Sequence, residues 1–118
     1  MQYMLLIYES EAERANMSEA ARGEEFQAYM KYTQELKDAK AFIAGDPLES
    51  ISTATSVRVR SGETLHTDGP FAETKEQLGG YYLVECDNLD EALKWAAKCP
   101  AALQGTMEVR PVMTIPDM

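Results

Sequence analysis

Residues 2–8, Gln-Tyr-Met-Leu-Leu-Ile-Tyr, form the stretch that decides the fold. Because side chains alternate between the two faces of a strand, Tyr3, Leu5 and Ile7 share one face, and the even-numbered apolar residues share the other. Apolar side chains on both faces are typical of a central strand that is covered on two sides. The sequence therefore predicts that residues 2–8 lie inside a sheet, with material packed against both faces.

A long helix is predicted downstream of this strand. Asn16, with Glu19 three residues later, offers a capping box for its start, and Ser18 is a rival cap. The helical spacing of its apolar stripe predicts that one side faces the core. The stripe consists of Phe26, Tyr29, Met30, Thr33 and Leu36.

A second helix is predicted to begin at Asn88, where Glu91 completes a capping box, and to end at Pro100. The remaining strands are a short one at 41–44, a hairpin of 55–60 and 64–67, a strand at 81–86 after Gly79-Gly80, and a last one at 107–113. Pro111 pushes the last strand toward a sheet edge. Residues 73–77 are predicted to make one helical turn.

This order of elements predicts an α+β fold, namely a ferredoxin-like βαββαβ arrangement with an inserted hairpin. The sheet is expected to be mostly antiparallel, with both helices on one face. A chain of 118 residues is predicted to be a single domain, residues 1–118. The sheet face without helices would expose an apolar patch, so a second copy is expected to cover it in a homodimer.

Composition argues against several classes of function. With 20 acidic and 11 basic residues the formal charge is −9, which disfavours direct binding of nucleic acid. Two cysteines and one histidine are too few for a transition-metal site, and no Gly-rich phosphate loop indicates a cofactor. No signal peptide or membrane-spanning run is found, so a cytoplasmic protein without a membrane partner is expected.

Residues 68–82 carry the most specific motif, Asp-Gly-Pro-Phe-Ala-Glu-Thr-Lys-Glu-Gln-Leu-Gly-Gly-Tyr-Tyr. With this motif the chain resembles the DGPF subgroup of the YCII-related family over nearly its whole length. Supporting segments are Ala44–Leu48, Ala54–Arg60, Asp90–Ala96 running into Cys99-Pro100, and Glu108–Val112. The resemblance implies a dimeric α/β barrel built from ferredoxin-like protomers.

The resemblance implies less about function. Relatives in the wider family have been proposed to be enzymes that use a His–Asp pair, with the histidine on the first helix. In this chain the corresponding stretch, residues 25–29, contains no histidine. DGPF proteins are also found beside sigma factors of the extracytoplasmic-function type, which points to a regulatory setting.

Asp68 is the first candidate for acid–base catalysis, because partial burial at a strand end would raise the pKa of its carboxyl toward working pH. The alternative is that Asp68 caps the turn before Gly69-Pro70. His66, two residues earlier, projects from the same strand face and is a second catalytic candidate as a partner of Asp68. The alternative for His66 is an exposed residue of a hairpin.

Four further residues are candidates for ligand binding. Phe71 and Tyr81 are expected to wall a cleft or to fill the core. Arg58 is a candidate contact for a carboxylate ligand, and Lys75 for an anion at the pocket mouth; balance of nearby acids and a solvated turn are the respective alternatives.

The first functional hypothesis is therefore a dimer that binds a small neutral or cationic molecule, with acid–base catalysis around Asp68. The second is a non-catalytic module for sensing or partner binding, associated with transcriptional regulation. The third is a cofactor-free oxygenase-like enzyme, which rests on analogy of fold.

Overall fold

The computed structural model describes residues 1–116, and its strands and helices follow one another in the predicted order. The elements are β1 (Gln2–Glu9), α1 (Glu11–Arg14), α2 (Glu19–Asp38), β2 (Phe42–Pro47), a 3-10 helix (Ile51–Thr53), β3 (Thr55–Arg60), β4 (Glu63–Asp68), β5 (Gln77–Glu85), α3 (Leu89–Lys98), a second 3-10 helix (Pro100–Leu103) and β6 (Thr106–Pro111). Among these residues, no helix is long and apolar enough to span a membrane.

The main sheet has four strands in the order β2-β5-β1-β6, and all of its pairings are antiparallel. β1 is central, as its apolar pattern predicts: Tyr3 lies opposite Val84 of β5 and Pro111 of β6. β6 is an edge strand, which confirms the role expected of Pro111.

The helices α2 and α3 cover one face of this sheet. The core unites Tyr3 and Leu5 of β1 with Leu36 of α2 and Ala92 of α3, and the side chains of Leu5 and Leu36 are completely inaccessible to water. On the opposite face, Met4, Leu6 and Tyr8 of β1 are only partly buried. The α+β, ferredoxin-like fold with an inserted hairpin is therefore confirmed.

The helix starts differ in how well they were predicted. The Oγ atom of Ser18 accepts a hydrogen bond of 3.1 Å from the backbone N–H of Ala21, so the rival cap and not Asn16 begins α2. Asn16 lies instead in the turn that follows α1. At α3 the expected cap is confirmed, since Asn88 Oδ1 accepts a hydrogen bond of 2.9 Å from the Glu91 N–H.

The predicted apolar stripe of α2 is wrong in part. Phe26 and Met30 are 62% and 57% exposed, whereas Tyr32 and Leu36 are buried. The reason is that the side of α2 carrying Phe26 and Met30 borders a cavity and not the core.

The glycine pair and the predicted helical turn also differ from expectation. Residues 73–76 form irregular backbone with bends at 75 and 76 and no helical turn, and Gly79-Gly80 lie inside β5, which begins at Gln77. β2 passes so close to Gly80 that a Cβ atom there would lie 3.0 Å from the carbonyl oxygen of Asp46. The glycine therefore permits close strand pairing.

The hairpin of β3 and β4 is confirmed and forms a two-stranded sheet of its own, here called the arm (residues 55–68). Its two-residue turn places Ser61 and Gly62 at φ values of 51° and 79°, as the twist of a tight hairpin requires. Every residue of β4 is exposed. The arm therefore extends away from the main sheet in a molecule that measures 48 × 47 × 18 Å.

Candidate functional site

A cavity of about 730 Å³ lies between α2 and the β2–β5 half of the main sheet. This volume falls in the range of ordinary small-molecule sites. Its walls are largely apolar and aromatic, with contributions from Ile7, Phe26, Tyr29, Met30, Phe42, Leu48 and Tyr82.

The cavity opens to solvent along an apolar rim. Phe26, Met30 and Leu48 line it and are 62%, 57% and 50% exposed. Large apolar side chains at the mouth of a cavity lose exposed surface when a ligand or partner covers them, and this burial favours binding.

One end of the cavity is polar and holds a triad of Glu9, Arg14 and Glu25. Arg14 Nη1 donates hydrogen bonds to Glu25 Oε2 at 2.7 Å and to Glu9 Oε2 at 3.0 Å, and Arg14 Nη2 donates to Glu25 Oε1 at 2.5 Å. The side chains of Glu9 and Glu25 are only 13% and 21% exposed. The arrangement is a bidentate pair with a second carboxylate added.

The charges of this triad do not cancel, because two carboxylates share one guanidinium. Burial raises the pKa of the Glu9 carboxyl above its ordinary value, although the nearby Arg14 opposes this shift. The hydrogen bonds to Glu25 raise the pKa of Arg14, so the guanidinium stays protonated. Glu9 therefore accepts a proton more readily than an ordinary glutamate does.

Tyrosine hydroxyls supply further polar groups around the cavity. The Tyr82 hydroxyl and Thr33 Oγ1 lie 2.8 Å apart in a hydrogen bond, and the Tyr81 hydroxyl donates to Asp46 Oδ2 at 2.7 Å. Burial raises the pKa of Tyr29, which keeps its hydroxyl neutral.

Cys99, which lies outside the cavity lining, is 1% exposed. Burial raises the pKa of its thiol to about 11. This cysteine is therefore a protonated packing residue at neutral pH and not a nucleophile.

The candidates chosen from sequence are spread over different parts of the molecule. Of the six, only Tyr81 lines the cavity. On the arm, His66 lies opposite Val57 and Asp68 lies opposite Thr55, so His66 and Asp68 share a face of the hairpin. Both residues are exposed.

The other three candidates, Arg58, Phe71 and Lys75, lie outside the hairpin face that carries His66 and Asp68. Arg58 pairs with Leu65 on the opposite face of the arm from His66 and Asp68. Phe71 is 80% exposed, and Lys75 is exposed in the bends between β4 and β5. Catalysis by Asp68 and His66 stays a prediction. Ligand contacts by Arg58, Phe71 and Lys75 stay predictions as well.

The triad of Glu9, Arg14 and Glu25 was not predicted from the sequence, although the sequence of α2 gave an indication of Glu25. Glu25 precedes Tyr29 by four residues, and Tyr29 precedes the buried Tyr32 and Leu36 at helical spacing. An acid that continues a buried stripe indicates a partner within the fold. Nothing in the local sequence placed Arg14 opposite Glu25, because that contact depends on how α1 turns after β1.

The residues that the structure describes contain no group of three or more His, Cys, Asp or Glu side chains arranged to hold a metal ion.

Comparison with known proteins gives a family and a fold. A family model described as the YCII-related domain matches residues 1–116. An uncharacterized protein of Rhizobium meliloti (strain 1021) is 51% identical over 63 residues, or 52% of this chain. That match spans about half of the relative, at 51% of its length.

Among solved structures, 5-chloro-2-hydroxyhydroquinone dehydrochlorinase from Burkholderia phenoliruptrix, in complex with 2,5-dihydroxybenzoquinone, is similar with a TM-score of 0.55. The likeness covers 96% of this chain and 94% of that one, at 15% sequence identity. At this level of identity the comparison shows a shared fold.

Proposed function

Because the chain belongs to the YCII-related family, we propose that it binds a small organic molecule in the cavity between α2 and the main sheet. The observation that carries this proposal is the cavity itself, which combines about 730 Å³ of space, aromatic walls and a polar triad at one end. The similar dehydrochlorinase was solved with 2,5-dihydroxybenzoquinone, and this analogy of fold supports a small ring compound.

Acid–base chemistry at the polar end belongs to the same proposal. Glu9 is a largely buried carboxylate whose pKa lies above its ordinary value, and it lines the cavity. Such a group can take a proton from a bound hydroxyl or ammonium and return it. Arg14 would hold Glu9 in place through their hydrogen bond of 3.0 Å.

Asp68 remains the alternative acid–base group of this proposal, with His66 as its partner. Its support is the motif in which it stands and its exposed position on the arm. Asp68 does not line the cavity, so its action on a ligand there would need the arm, of the same protomer or of a second one, to approach the cavity. A complementation test with an arm variant and a cavity variant separates action of a second protomer's arm from catalysis at Glu9.

The binding proposal is tested by two-dimensional amide NMR with neutral ring compounds, phenol and 2-phenylethanol. The expected result is a set of shifts at the amides of Thr33, Gly45 and Gly79, which line or adjoin the cavity. Leu48→Trp, which fills the rim, should abolish the shifts. Leu103→Trp is the control, because Leu103 is 87% exposed and lies outside the cavity lining. Absence of the shifts, or shifts that persist in L48W, would overturn the proposal.

We also propose that two copies associate through the sheet face opposite the helices. Met4, Leu6 and Leu83 place apolar side chains on that face. The arm adds Val57 and Val59, which are 59% and 57% exposed, and an isolated two-stranded hairpin gains stability by packing against another surface.

Sedimentation velocity at micromolar concentration tests the homodimer. The unaltered protein should sediment as a dimer, and Leu83→Asp should sediment as a monomer because it places a charge in the interface. Leu103→Asp should leave the dimer intact. A compact, stable monomer of the unaltered protein would contradict the proposal.

One observation favours the alternative of a partner-binding module. Leu89 and Leu93 stand four residues apart on α3 and are each 46% exposed. A dimer built on the opposite sheet face would leave these two leucines uncovered. Loss of partner capture in Leu93→Asp, with cavity binding unchanged, would favour this function.

A further inference from the structure

We propose that the ligand of the cavity is an organic cation, namely a protonated amine on a flat apolar body, whose ammonium group bonds to Glu9. This inference rests on the proposed binding function and narrows the class of ligand. The hydrogen bonds that the charged groups of the cavity already make within the protein point to this class of ligand.

The cationic groups of the cavity are engaged within the protein. Arg14 donates three hydrogen bonds to the carboxylates of Glu9 and Glu25. Arg22, the other guanidinium in the lining, donates through Nη2 to the backbone carbonyl of Arg14 at 2.8 Å. A ligand anion would have to compete with the bonds of Arg14 and would otherwise meet only the solvated guanidinium of Arg22, which is exposed, so the cavity offers an anion no sheltered cation.

Two of the four carboxylates that line the cavity, Glu25 and Glu11, have both oxygens occupied, and a third, Asp46, has one oxygen occupied. Both oxygens of Glu25 accept from Arg14. Glu11 accepts from Ser50 Oγ at 2.8 Å and from the Ile51 N–H at 3.0 Å. Asp46 accepts from the Tyr81 hydroxyl.

Glu9 differs from Glu11 and Glu25 in having a free oxygen, and it differs from Asp46, whose Oδ1 is also free within residues 1–116, because Asp46 is exposed to solvent. The Oε2 atom of Glu9 accepts from Arg14, and in the same described part of the chain its Oε1 accepts no hydrogen bond. The side chain of Glu9 is 13% exposed, and its free oxygen is not fully buried, so a ligand in the cavity can reach it. A donor on a ligand would satisfy this oxygen, and a positively charged donor would also balance the excess negative charge of the triad.

The aromatic walls suit the rest of such a ligand. Phe26 and Tyr29 stand one helical turn apart on α2 and line the cavity near Glu25. The faces of aromatic rings attract cations, and the rings also pack against apolar groups. Phe42, at the other side of the cavity, already has the ammonium of Lys37 at 5.2 Å from its ring centroid. The cavity therefore combines an acidic end with walls that accept the body of an aromatic or alkyl amine.

The test uses three ring compounds of nearly equal size that differ in charge: 2-phenylethylamine, 2-phenylethanol and phenylacetate. Binding is measured by amide NMR titration at pH 7 and low salt. The amine should bind about tenfold more tightly than the alcohol, which corresponds to one additional charged hydrogen bond, and phenylacetate should bind most weakly.

Variants assign the effect to Glu9. Glu9→Gln should weaken binding of the amine about tenfold and weaken binding of the alcohol by a smaller factor, because the alcohol loses only a neutral donor's bond to the carboxylate. Glu24→Gln is the matched control, because Glu24 is an exposed residue of α2 outside the cavity lining and removes the same overall charge. An equal effect of E24Q and E9Q would overturn the inference, since it would reduce the preference to the overall charge of the protein.

The remaining outcomes separate this inference from the binding function. If the alcohol shifts the NMR signals of cavity amides and the amine binds no more tightly than the alcohol, the inference of a cationic ligand is wrong and the proposed binding function stands. If phenylacetate binds as tightly as the amine, the cation is likewise wrong. If none of the three compounds shifts a cavity amide, both the inference and the proposed function are overturned.

Discussion

The hydroxyl of Tyr32 on α2 donates a hydrogen bond of 2.8 Å to the backbone carbonyl of Trp95 on α3. Near the end of α3 the N–H of Cys99 bonds to Ala96, so the Trp95 carbonyl lacks that helical partner and Tyr32 satisfies it. The two helices are thereby joined by a side chain that is 3% exposed.

Tyr32→Phe should therefore lower the free energy of unfolding by about 1–2 kcal/mol, because it leaves a sheltered carbonyl without a donor. Urea unfolding followed by circular dichroism measures the change. Gln34→Ala is the control: it removes an exposed hydrogen bond of Gln34 Nε2 to Asp38 Oδ1 on α2, so stability should stay nearly unchanged. Equal losses in the two variants would contradict the role of Tyr32.

The two adjacent glycines of β5 should respond differently to alanine. A Cβ atom at Gly80 would lie 3.0 Å from the Asp46 carbonyl oxygen and 3.3 Å from Pro47 Cα, so β2 must move away. Gly80→Ala should cost about 1–3 kcal/mol of unfolding free energy.

At Gly79 no atom lies within 4 Å of the added carbon. Gly79→Ala should leave the stability unchanged or raise it by less than about 1 kcal/mol, through the smaller entropy of the unfolded chain. Chemical denaturation of both variants checks the pair. A G79A variant as unstable as G80A would show that β5 needs flexibility there and not close approach.

Arg14→Ala should destabilise the fold by about 2 kcal/mol, because it leaves Glu9 and Glu25 partly buried without their common cation. The matched control is Lys98→Ala. Lys98 pairs with Glu35 across 3.2 Å on the helix side of the sheet, but its side chain is 57% exposed, and removal should change the stability by less than about 1 kcal/mol. Thermal unfolding of both variants decides whether burial makes the difference.

Glu9 should give the stability a pH dependence of unusual sign for a carboxylate. Its pKa is raised in the folded protein above the unfolded value near 4.5, so the folded state binds more protons between these two pKa values. Its contribution to stability is complete below the unfolded pKa and is lost as pH rises through the folded pKa.

Glu9→Gln removes this titration. The difference in unfolding free energy, unaltered protein minus E9Q, should therefore fall as pH rises from about 4 toward neutrality. Urea unfolding across that range measures it. A difference that rises with pH would mean that Arg14, and not burial, dominates the pKa of Glu9.

Sequence patterns predicted the fold in those places where one residue type has one structural use. Apolar side chains on both faces placed β1 in the centre of the sheet, Pro111 marked an edge strand, and Asn88 marked the start of α3. Gly79-Gly80 was less informative, because a glycine pair serves equally well in a hinge and in close strand pairing.

These sequence patterns did not predict most of the candidate site. Phe26 and Met30 were expected in the core because spacing alone does not distinguish the wall of a cavity from packed interior. Arg14 and Glu25 meet across eleven positions through the turn after α1, a contact that no local motif encodes. The DGPF motif predicted a site at Asp68, whereas the cavity lies along β1, β2 and α2.

The central position of β1 has a consequence for synthesis of the protein. Both of its neighbours, β5 and β6, are translated after residue 76, so β1 leaves the ribosome long before either strand exists. Its apolar face and its unpaired backbone are open during that interval to other nascent chains and to chaperones. Co-translational folding of this sheet therefore cannot be completed until residues 77–111 have emerged, and a pause in translation before that point prolongs the exposure of its most apolar strand.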